Sequence, residues 1–410
     1  MAALAVSHVY PLGSRLNGEG RLEVGGCDAL ELAREFGTPA YVYAEDDMRA
    51  RARAYLEAFS ARTERFQVIY AGKAFPCTAA FRLFAEEGLG CDVASAGELH
   101  LALAGGMPPE RIYVHGNNKT PAELERALAA GVGHIVVDSF DELERLRGRG
   151  ARVMLRVTPG IKPSTHSYIQ TGQEDSKFGF GLDDVPRAVA ACAEAGLELR
   201  GLHAHIGSQI LELEGFERLA DVLANLGDWP LLNLGGGLGV AYTAEDEPPS
   251  IEDYVDALLR HAPADVTVLC EPGRSLVANA GVTLYTVGTV KRIPGVRTYV
   301  AVDGGMSDNL RPMLYGARYE AQIADRFGGE DPCTVAGMHC ESGDILVPDA
   351  RLSDPRPGDV LVIPATGAYG HAMANNYNAV RRPPVVFCRD GDARVVVRRE
   401  TYADLTLRDA

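Results

Sequence analysis

Side chains that can do chemistry stand at or near the ends of several short apolar runs in this sequence. A partly buried lysine loses its proton more readily, and its free amine can then form a Schiff base with an aldehyde. We therefore expect Lys73, which ends the run QVIYAGK, to be partly buried and nucleophilic. Histidines, a glycine-rich turn, a carboxylate and an arginine occur in later runs. In chain order these residues are His203, His205, Ser208, Gly235, Gly236, Gly237, Glu271, Gly273 and Arg274.

Three consecutive glycines end one of these runs, LLNLGGG at 231–237. Because glycines carry no side chain, their backbone N–H groups stay open to an anion, and Arg274 adds a positive charge nearby. A dinucleotide-binding turn is one alternative, but Val240 stands where that motif needs a glycine or alanine. A plain tight turn is the other alternative. We favour a phosphate site.

The histidines at 203 and 205 alternate along one run, so they are expected to face the same side of a strand. Such a pair could bind a metal ion. In metal-dependent barrel hydrolases the pair lies on the first strand, whereas this pair lies on the sixth run, and no further ligand set accompanies it. An imidazole can instead stack on a flat cofactor ring, or be purely structural. We expect no metal site.

Eight short apolar, β-branched runs alternate with stretches of helical periodicity between residues 66 and 273. The runs are 67–73, 91–95, 112–116, 134–138, 153–159, 201–207, 231–237 and 266–273. Eight parallel strands joined by helices predict a (β/α)8 TIM barrel rather than an open sheet. Since the active site of such a barrel forms at the carboxyl ends of its strands, the reactive residues above would share one mouth.

The pattern changes after residue 280 to β-rich runs broken by Gly, Pro and Asp, which predicts a second, mostly antiparallel β domain. The first 37 residues hold only a weak strand signal and one short helix. We assign residues 38–282 to the barrel, and residues 1–37 and 283–410 to the β-rich domain.

The composition excludes several classes of protein. Of the 410 residues, 46% are hydrophobic and 23% charged, as in globular proteins and unlike disordered or fibrous chains. A net charge of −16 is a poor match for nucleic acid or an anionic membrane. The eight cysteines form no CxxC pair. With neither a basic leader nor an apolar run of about 20 residues, we expect a cytoplasmic protein.

Several motifs occur together and in order along the chain. They are YAGKAF (70–75), HGNNK (115–119), EDSKFGF (174–180), HIGSQ (205–209), GGG (235–237), EPGR (271–274), VDGGMSDNLRPMLYGA (302–317), CESGD (340–344) and GAYGHAMANNYN (367–378). This ordered set resembles the fold-type III pyridoxal-phosphate decarboxylases, and in particular the diaminopimelate decarboxylase family. The resemblance runs from about residue 36 to residue 384. It implies an alanine-racemase-type barrel followed by a C-terminal β domain.

The resemblance also implies roles for residues that would bind pyridoxal 5'-phosphate. Lys73 would form the Schiff base with the cofactor, and His205 would stack on its ring. Glu271 would pair with the pyridine nitrogen and keep it protonated, which favours decarboxylation over racemisation. The phosphate would be held by Ser208, Gly235, Gly236, Gly237, Gly273, Arg274 and Tyr369.

Further residues follow from the resemblance for the substrate and the dimer. Cys340 would protonate the carbon left by the departing CO2, and it would come from the partner subunit of a homodimer with shared active sites. Glu341 would bind the distal amino group of the substrate. The pocket around the carboxylates of the substrate would be lined by Arg274, Arg311, Tyr315 and Tyr369.

The activity implied is the decarboxylation of meso-2,6-diaminopimelate to L-lysine and CO2, the last step of lysine biosynthesis. The nearest alternative is a decarboxylase of the same fold that acts on ornithine, lysine, arginine or a carboxylated polyamine. Arg311 argues against it, because these substrates lack a second carboxylate for an arginine to bind. A cofactor-binding regulator without turnover is a further alternative, but Lys73, Glu271 and Cys340 are all present. Two segments depart from the common family pattern, YAGKAF and GHAMANNYN, and the second surrounds Tyr369.

Overall fold

A computed structural model of the protein describes residues 6–161 and 176–410. The first two residues of the motif EDSKFGF therefore lie outside the described residues. The strands are β1 (Arg15–Leu16), β2 (Leu22–Val24), β3 (Cys27–Asp28), β4 (Ala40–Ala44), β5 (Phe66–Ala71), β6 (Gly90–Val93), β7 (Ile112–Val114), β8 (His134–Val137), β9 (Arg152–Thr158), β10 (Phe180–Gly181), β11 (Glu198–His203), β12 (Leu231–Asn233), β13 (Thr267–Cys270), β14 (Gly281–Ile293), β15 (Arg297–Val302), β16 (Gln322–Ile323), β17 (Asp331–Ala336), β18 (Ile345–Leu352), β19 (Val360–Ile363), β20 (Val385–Arg389) and β21 (Asp392–Val397). The α-helices are α1 (Ala29–Phe36), α2 (Glu45–Ser60), α3 (Thr78–Glu86), α4 (Ala96–Ala104), α5 (Pro121–Ala130), α6 (Phe140–Leu146), α7 (Val185–Glu194), α8 (Glu214–Ala224), α9 (Ile251–Leu259), α10 (Arg274–Val277), α11 (Arg311–Tyr315), α12 (Gly370–Met373) and α13 (Tyr402–Leu405).

The described residues form two compact units. The barrel unit takes those within Arg49–Gly239 and Pro248–Leu276. The β-rich unit takes those within Met1–Met48, Val240–Glu247 and Val277–Ala410.

Eight parallel strands close the barrel in the order β5-β6-β7-β8-β9-β11-β12-β13, and β13 pairs back to β5. Short β10 adds to β9. A cluster of buried side chains fills the interior of the barrel: Ile69, Tyr113, Val136, Met154, Leu231 and Leu269. Each of the eight apolar runs contains or overlaps one of these strands, which confirms the predicted barrel.

Local sequence signals set the starts of the barrel helices. Ser95 and Ser139 accept hydrogen bonds from the backbone N–H groups of Glu98 and Glu142, at the beginnings of α4 and α6. Thr120 and Glu123 form a reciprocal capping box at the beginning of α5. Because each helix begins shortly after a strand ends, the turns between them carry the reactive residues to one end of the barrel.

The β-rich unit contains a mixed, mostly antiparallel sheet. Strand β14 pairs antiparallel with β4, β15 and β19, while β15 with β17 and β20 with β4 form parallel pairs. Strands β1 to β3 form a small separate sheet. This confirms the predicted second β domain, and it shows that β4, near the amino terminus, is part of its sheet. Of the described residues, no helix is long and apolar enough to cross a membrane.

Candidate active site

A buried carboxylate, Glu271, lies at the carboxyl end of β13 and accepts three hydrogen bonds. Its Oε1 atom lies 2.9 Å from His115 Nε2 and accepts a bond from Asn233 Nδ2 at 2.7 Å. Its Oε2 atom lies 3.1 Å from His203 Nε2. Only 7% of Glu271 is exposed, so these bonds replace the water that a carboxylate otherwise requires.

The three partners of Glu271 come from different strands. His115 follows β7, His203 ends β11, Asn233 ends β12, and Glu271 itself follows β13. His115 and Asn233 were not predicted as site residues, and His203 was predicted to be a metal ligand, a ring-stacking group or a structural residue. The signal was their position, since both lie at the carboxyl ends of strands, within HGNNK and LLNLGGG.

The turn that carries His115 is fixed by a buried lysine. Lys119 Nζ donates to the carbonyl oxygens of Gly116 at 2.8 Å and Val136 at 2.7 Å. The same atom lies 2.7 Å from Glu142 Oε1 in an ion pair that is almost fully buried. The turn after β7 is thereby tied to β8 and α6.

Electrostatics keep the carboxylate ionised and the histidine beside it neutral. Burial alone would raise the pKa of Glu271, but its contacts with His115 and His203 outweigh burial and hold the pKa well below its usual value. Burial lowers the pKa of His203 to about 4, more strongly than Glu271 raises it. At neutral pH we therefore assign an anionic Glu271 and a neutral His203.

The glycine turn 235–237 leaves no room for side chains. A Cβ atom would lie 2.6 Å from the carbonyl oxygen of Ala204 at Gly235 and 2.1 Å from that of Glu271 at Gly236. Gly235 and Gly237 have positive φ angles of 64° and 128°. Asn233 Oδ1 accepts a hydrogen bond from the Gly235 N–H, so one amide side chain joins this turn to Glu271.

The remaining polar residues of the barrel mouth contact one another. His205 lies just beyond β11 and is half-buried, and its Nδ1 atom accepts a hydrogen bond from the Gly236 N–H at 3.2 Å. Arg274 donates to Ser208 Oγ at 2.8 Å. Gly273 packs against strand β5, where a Cβ atom would lie 2.8 Å from that of Ala71.

Lys73 is exposed, and the expectation of a partly buried lysine is therefore wrong. The reason is that β5 ends at Ala71, two residues earlier than the apolar run, and Lys73 lies in a short 3-10 turn beyond the strand. It interacts electrostatically with Asp92 and His205. Burial, and then the charge of Glu271, raise the pKa of Asp92 to about 7.

The two alternating histidines do not share a partner. His203 contacts Glu271, whereas His205 lies beyond the strand and contacts the glycine turn. Within the described residues, His115, His203 and Glu271 do form a cluster whose possible ligand atoms lie within 4.8 Å of one another. The expectation that no further ligand set accompanies the histidine pair is therefore wrong for His203, and a metal ion at this cluster is an alternative.

The β-rich unit places Arg311 among aromatic rings. Its guanidinium carbon lies 4.7 Å from the ring centre of Tyr242 and 6.0 Å from that of Tyr369, and it donates to the hydroxyl of Tyr319. Burial lowers the pKa of Arg311, but the tyrosines outweigh this and raise it above its usual value. Tyr369 has a positive φ of 67°, which is uncommon for a tyrosine. Tyr315, at the end of α11, is half-buried.

Cys340 is the exposed cysteine of the chain, and the other seven are buried. It lies next to Glu341, whose carboxylate accepts a hydrogen bond from the Tyr377 hydroxyl. His339 is held by Ser307 Oγ at 2.8 Å and Asn378 Oδ1 at 2.9 Å. These contacts of His339 anchor the loop that carries Cys340.

Known proteins share both the sequence and the fold. The family described as pyridoxal-dependent decarboxylase, pyridoxal binding domain, matches residues 45–278. The diaminopimelate decarboxylase of Bacillus subtilis is 47% identical over 97% of this chain and 97% of its own length. That of Actinosynnema pretiosum is 48% identical over 98% of this chain and 95% of its own length. The structure of the enzyme from M. jannaschii in complex with L-lysine is 35% identical with a TM-score of 0.90, and 97% of each chain is covered. The chain therefore belongs to the diaminopimelate decarboxylase family of the pyridoxal-dependent decarboxylases.

Proposed function

We propose that this chain converts meso-2,6-diaminopimelate to L-lysine and CO2, the last step of lysine biosynthesis, with pyridoxal phosphate as its cofactor. The observation that carries the assignment is the buried, ionised Glu271 at the mouth of a barrel that also presents a lysine and a glycine turn. The family membership supports the same reaction.

The residues of the barrel mouth fit pyridoxal phosphate. Side chains at the glycine turn would collide with backbone oxygens, so only glycine lets the main chain pass this close to its neighbours at the mouth. The pair of Arg274 and Ser208 supplies a positive charge and a hydroxyl suited to a phosphate. Glu271 is a buried carboxylate suited to a protonated ring nitrogen.

The proposed roles in the barrel unit follow from this fit. The chemistry that pyridoxal phosphate supplies when bound is an electron sink for the carbanion left by CO2. Lys73 supplies the amine that holds the cofactor covalently, and its exposed position at the mouth suits exchange with a substrate amine. Glu271 keeps a proton on the ring nitrogen and His205 stacks on the ring. The phosphate is bound by Ser208, Gly235, Gly236, Gly237, Gly273, Arg274 and Tyr369.

The proposed substrate residues belong mainly to the β-rich unit. Arg311 is a buried guanidinium that no carboxylate among the described residues neutralises, so a substrate carboxylate can occupy that role. Arg274, Tyr315 and Tyr369 complete the carboxylate pocket, and Glu341 binds the distal amine.

We further propose that Cys340 delivers the proton that replaces CO2, and that it does so from the partner subunit of a homodimer. Because the Cys340 thiol is exposed, it is accessible to the active site of another subunit, which supports this role. We also propose that the protein acts in the cytoplasm, in keeping with seven buried unpaired cysteines.

The alternative substrates are other basic amino acids and carboxylated polyamines. They are less well supported, because relatives at 42–48% identity are named diaminopimelate decarboxylases. A buried arginine also favours a substrate that keeps a carboxylate at its far end.

A product assay tests the function. Purified protein with added pyridoxal phosphate is offered meso-diaminopimelate, ornithine, arginine and lysine separately, and the products are identified by mass. We expect lysine and CO2 from diaminopimelate alone. Release of CO2 from another amino acid would overturn the pocket assignment, and no CO2 from any of them, despite bound cofactor, would favour a regulator.

A further inference from the structure

The carboxylate cluster, defined as Glu271, His115, His203 and Asn233, is almost completely buried. His203 is 1% exposed, Asn233 is fully buried, and His115 is 9% exposed. Three different strand ends supply the three partners of one carboxylate. A purely electrostatic pairing with the cofactor needs only the carboxylate, so the partners require their own explanation.

Hydrogen-bond geometry fixes the protonation of the two histidines. A carboxylate oxygen only accepts, so both Nε2 atoms must carry the proton in their contacts with Glu271. The Nδ1 atom of His203 is buried and has no hydrogen-bond partner. A protonated Nδ1 would therefore be an unsatisfied buried donor, whereas a lone pair there costs less. His203 is thus the neutral Nε2–H tautomer.

The ring of His115 lies beside that of His203. The two imidazole rings lie 4.7 Å apart between their centres at 70°, and two adjacent imidazolium ions would repel one another. Asp92, Lys73 and Arg156 are further titratable or charged groups around this cluster. The two histidines are therefore not both charged, and each still donates its Nε2–H to Glu271.

The bonds leave one acceptor position on the carboxylate. Each carboxylate oxygen has two lone pairs. On Oε1 both are used, by His115 and Asn233, while on Oε2 His203 uses one. Asn233 cannot turn its amide around, because its Oδ1 atom already accepts from the Gly235 N–H. Within the described residues, one lone pair on Oε2 is therefore left for a further donor.

We propose that His115 and His203 are positioning residues, which as Nε2–H donors hold Glu271 as an anion with a single open acceptor position, on Oε2, for the ring nitrogen of the cofactor. This inference deepens the proposed function and rests on it. Donors on the carboxylate lower its basicity, so a proton shared with the ring nitrogen stays on the nitrogen.

Four variants test the proposal in the holoenzyme. His115→Leu and His203→Leu remove the donor, while His115→Gln and His203→Gln keep an N–H near the position of Nε2. The control is His134→Leu, since His134 is another barrel histidine, stacked on Tyr113 at the start of β8. The protein is reconstituted with pyridoxal phosphate labelled with ¹⁵N in its ring, and NMR reports whether that nitrogen is protonated.

We expect the leucine variants to shift the ring ¹⁵N resonance from the protonated toward the neutral position and to lower kcat by about ten- to a hundredfold, with little change in KM. The glutamine variants should recover most of the wild-type ¹⁵N resonance position and most of the wild-type kcat. His134→Leu should change neither the resonance nor kcat. Rescue by glutamine separates a donor role from a structural one, because glutamine does not restore the imidazole packing.

Each other outcome has a distinct meaning. A protonated ring nitrogen in the wild type and in both leucine variants would overturn the inference and leave the function intact. An unprotonated nitrogen in the wild type would overturn the role of Glu271 itself. One zinc ion per wild-type chain, lost in both leucine variants, would replace the inference with a metal site. If the glutamine variants are as impaired as the leucine variants, both histidines act only through packing, and the inference is wrong.

Discussion

Two buried carboxyl groups at the barrel mouth have opposite ionisation behaviour. Glu271 has three hydrogen-bond donors and a lowered pKa, whereas burial and the charge of Glu271 raise the pKa of Asp92 to about 7. Environment, and not residue type, thus decides which carboxyl is charged. The pair provides an anion at one position and a group that titrates near neutrality at the other.

Replacing Asp92 gives a pH-dependent prediction. The pKa of this group is about 7 when folded and about 3.9 when unfolded, so the wild type loses stability as pH rises from 4 to 7. Asp92→Asn removes that loss. The free energy of unfolding of the variant apoprotein, relative to that of the wild type, should therefore rise as the pH rises through this window. Above pH 7 the difference should reach at most about 4 kcal/mol. Urea unfolding at pH 5 and pH 8 measures it, and a difference that is the same at both would contradict the assignment.

At the level of elements, the strands of the barrel were predictable and their exact ends were not. Apolar runs extend past the strands because the residues after a strand, such as His205 and Gly235, are still packed in the mouth. The burial of Lys73 was mispredicted for the same reason, since the strand ends at Ala71. The partners of Glu271 could not be predicted from periodicity, because which strand ends face one another depends on closure of the barrel.

The glycine turn between β12 and α9 gives a prediction at this scale. In Gly236→Ala the new Cβ would lie 2.1 Å from the carbonyl oxygen of Glu271, so the turn must move. We expect pyridoxal phosphate affinity to fall about tenfold or more, as overpacking costs on the order of 1–3 kcal/mol. The matched control is Gly181→Ala, where no atom lies within 4 Å of the new Cβ. Cofactor titration followed by absorbance measures both, and equal affinities would contradict the proposed phosphate site.

At the scale of the whole molecule, the proposed chemistry is divided between two units of the chain. Lys73 and Glu271 belong to the barrel unit, and Arg311 and Cys340 belong to the β-rich unit. The sequence indicated both units, because strand and helix patterns alternate in the barrel region and β-rich runs follow it. It indicated the dimer only through resemblance, because no local pattern reports which subunit supplies a residue to a shared site.

Mixing two inactive variants tests the shared site. If Lys73 and Cys340 act from different subunits, heterodimers of Lys73→Ala and Cys340→Ala contain one intact site. After dissociation and reassociation of an equal mixture, we expect about one quarter of wild-type activity, because about half of the dimers are mixed. If both residues act within one chain, the mixture stays as inactive as its components, which would contradict the proposal.

The most direct test of the central claim is the reaction of diaminopimelate in D2O, with CO2, lysine and the deuterium content of the lysine measured by mass spectrometry. We predict one CO2 and one carbon-bound deuterium for each lysine with the wild type, and no lysine with Lys73→Ala. Formation of lysine by Lys73→Ala at the wild-type rate, or loss of CO2 without deuterium uptake, would contradict the account.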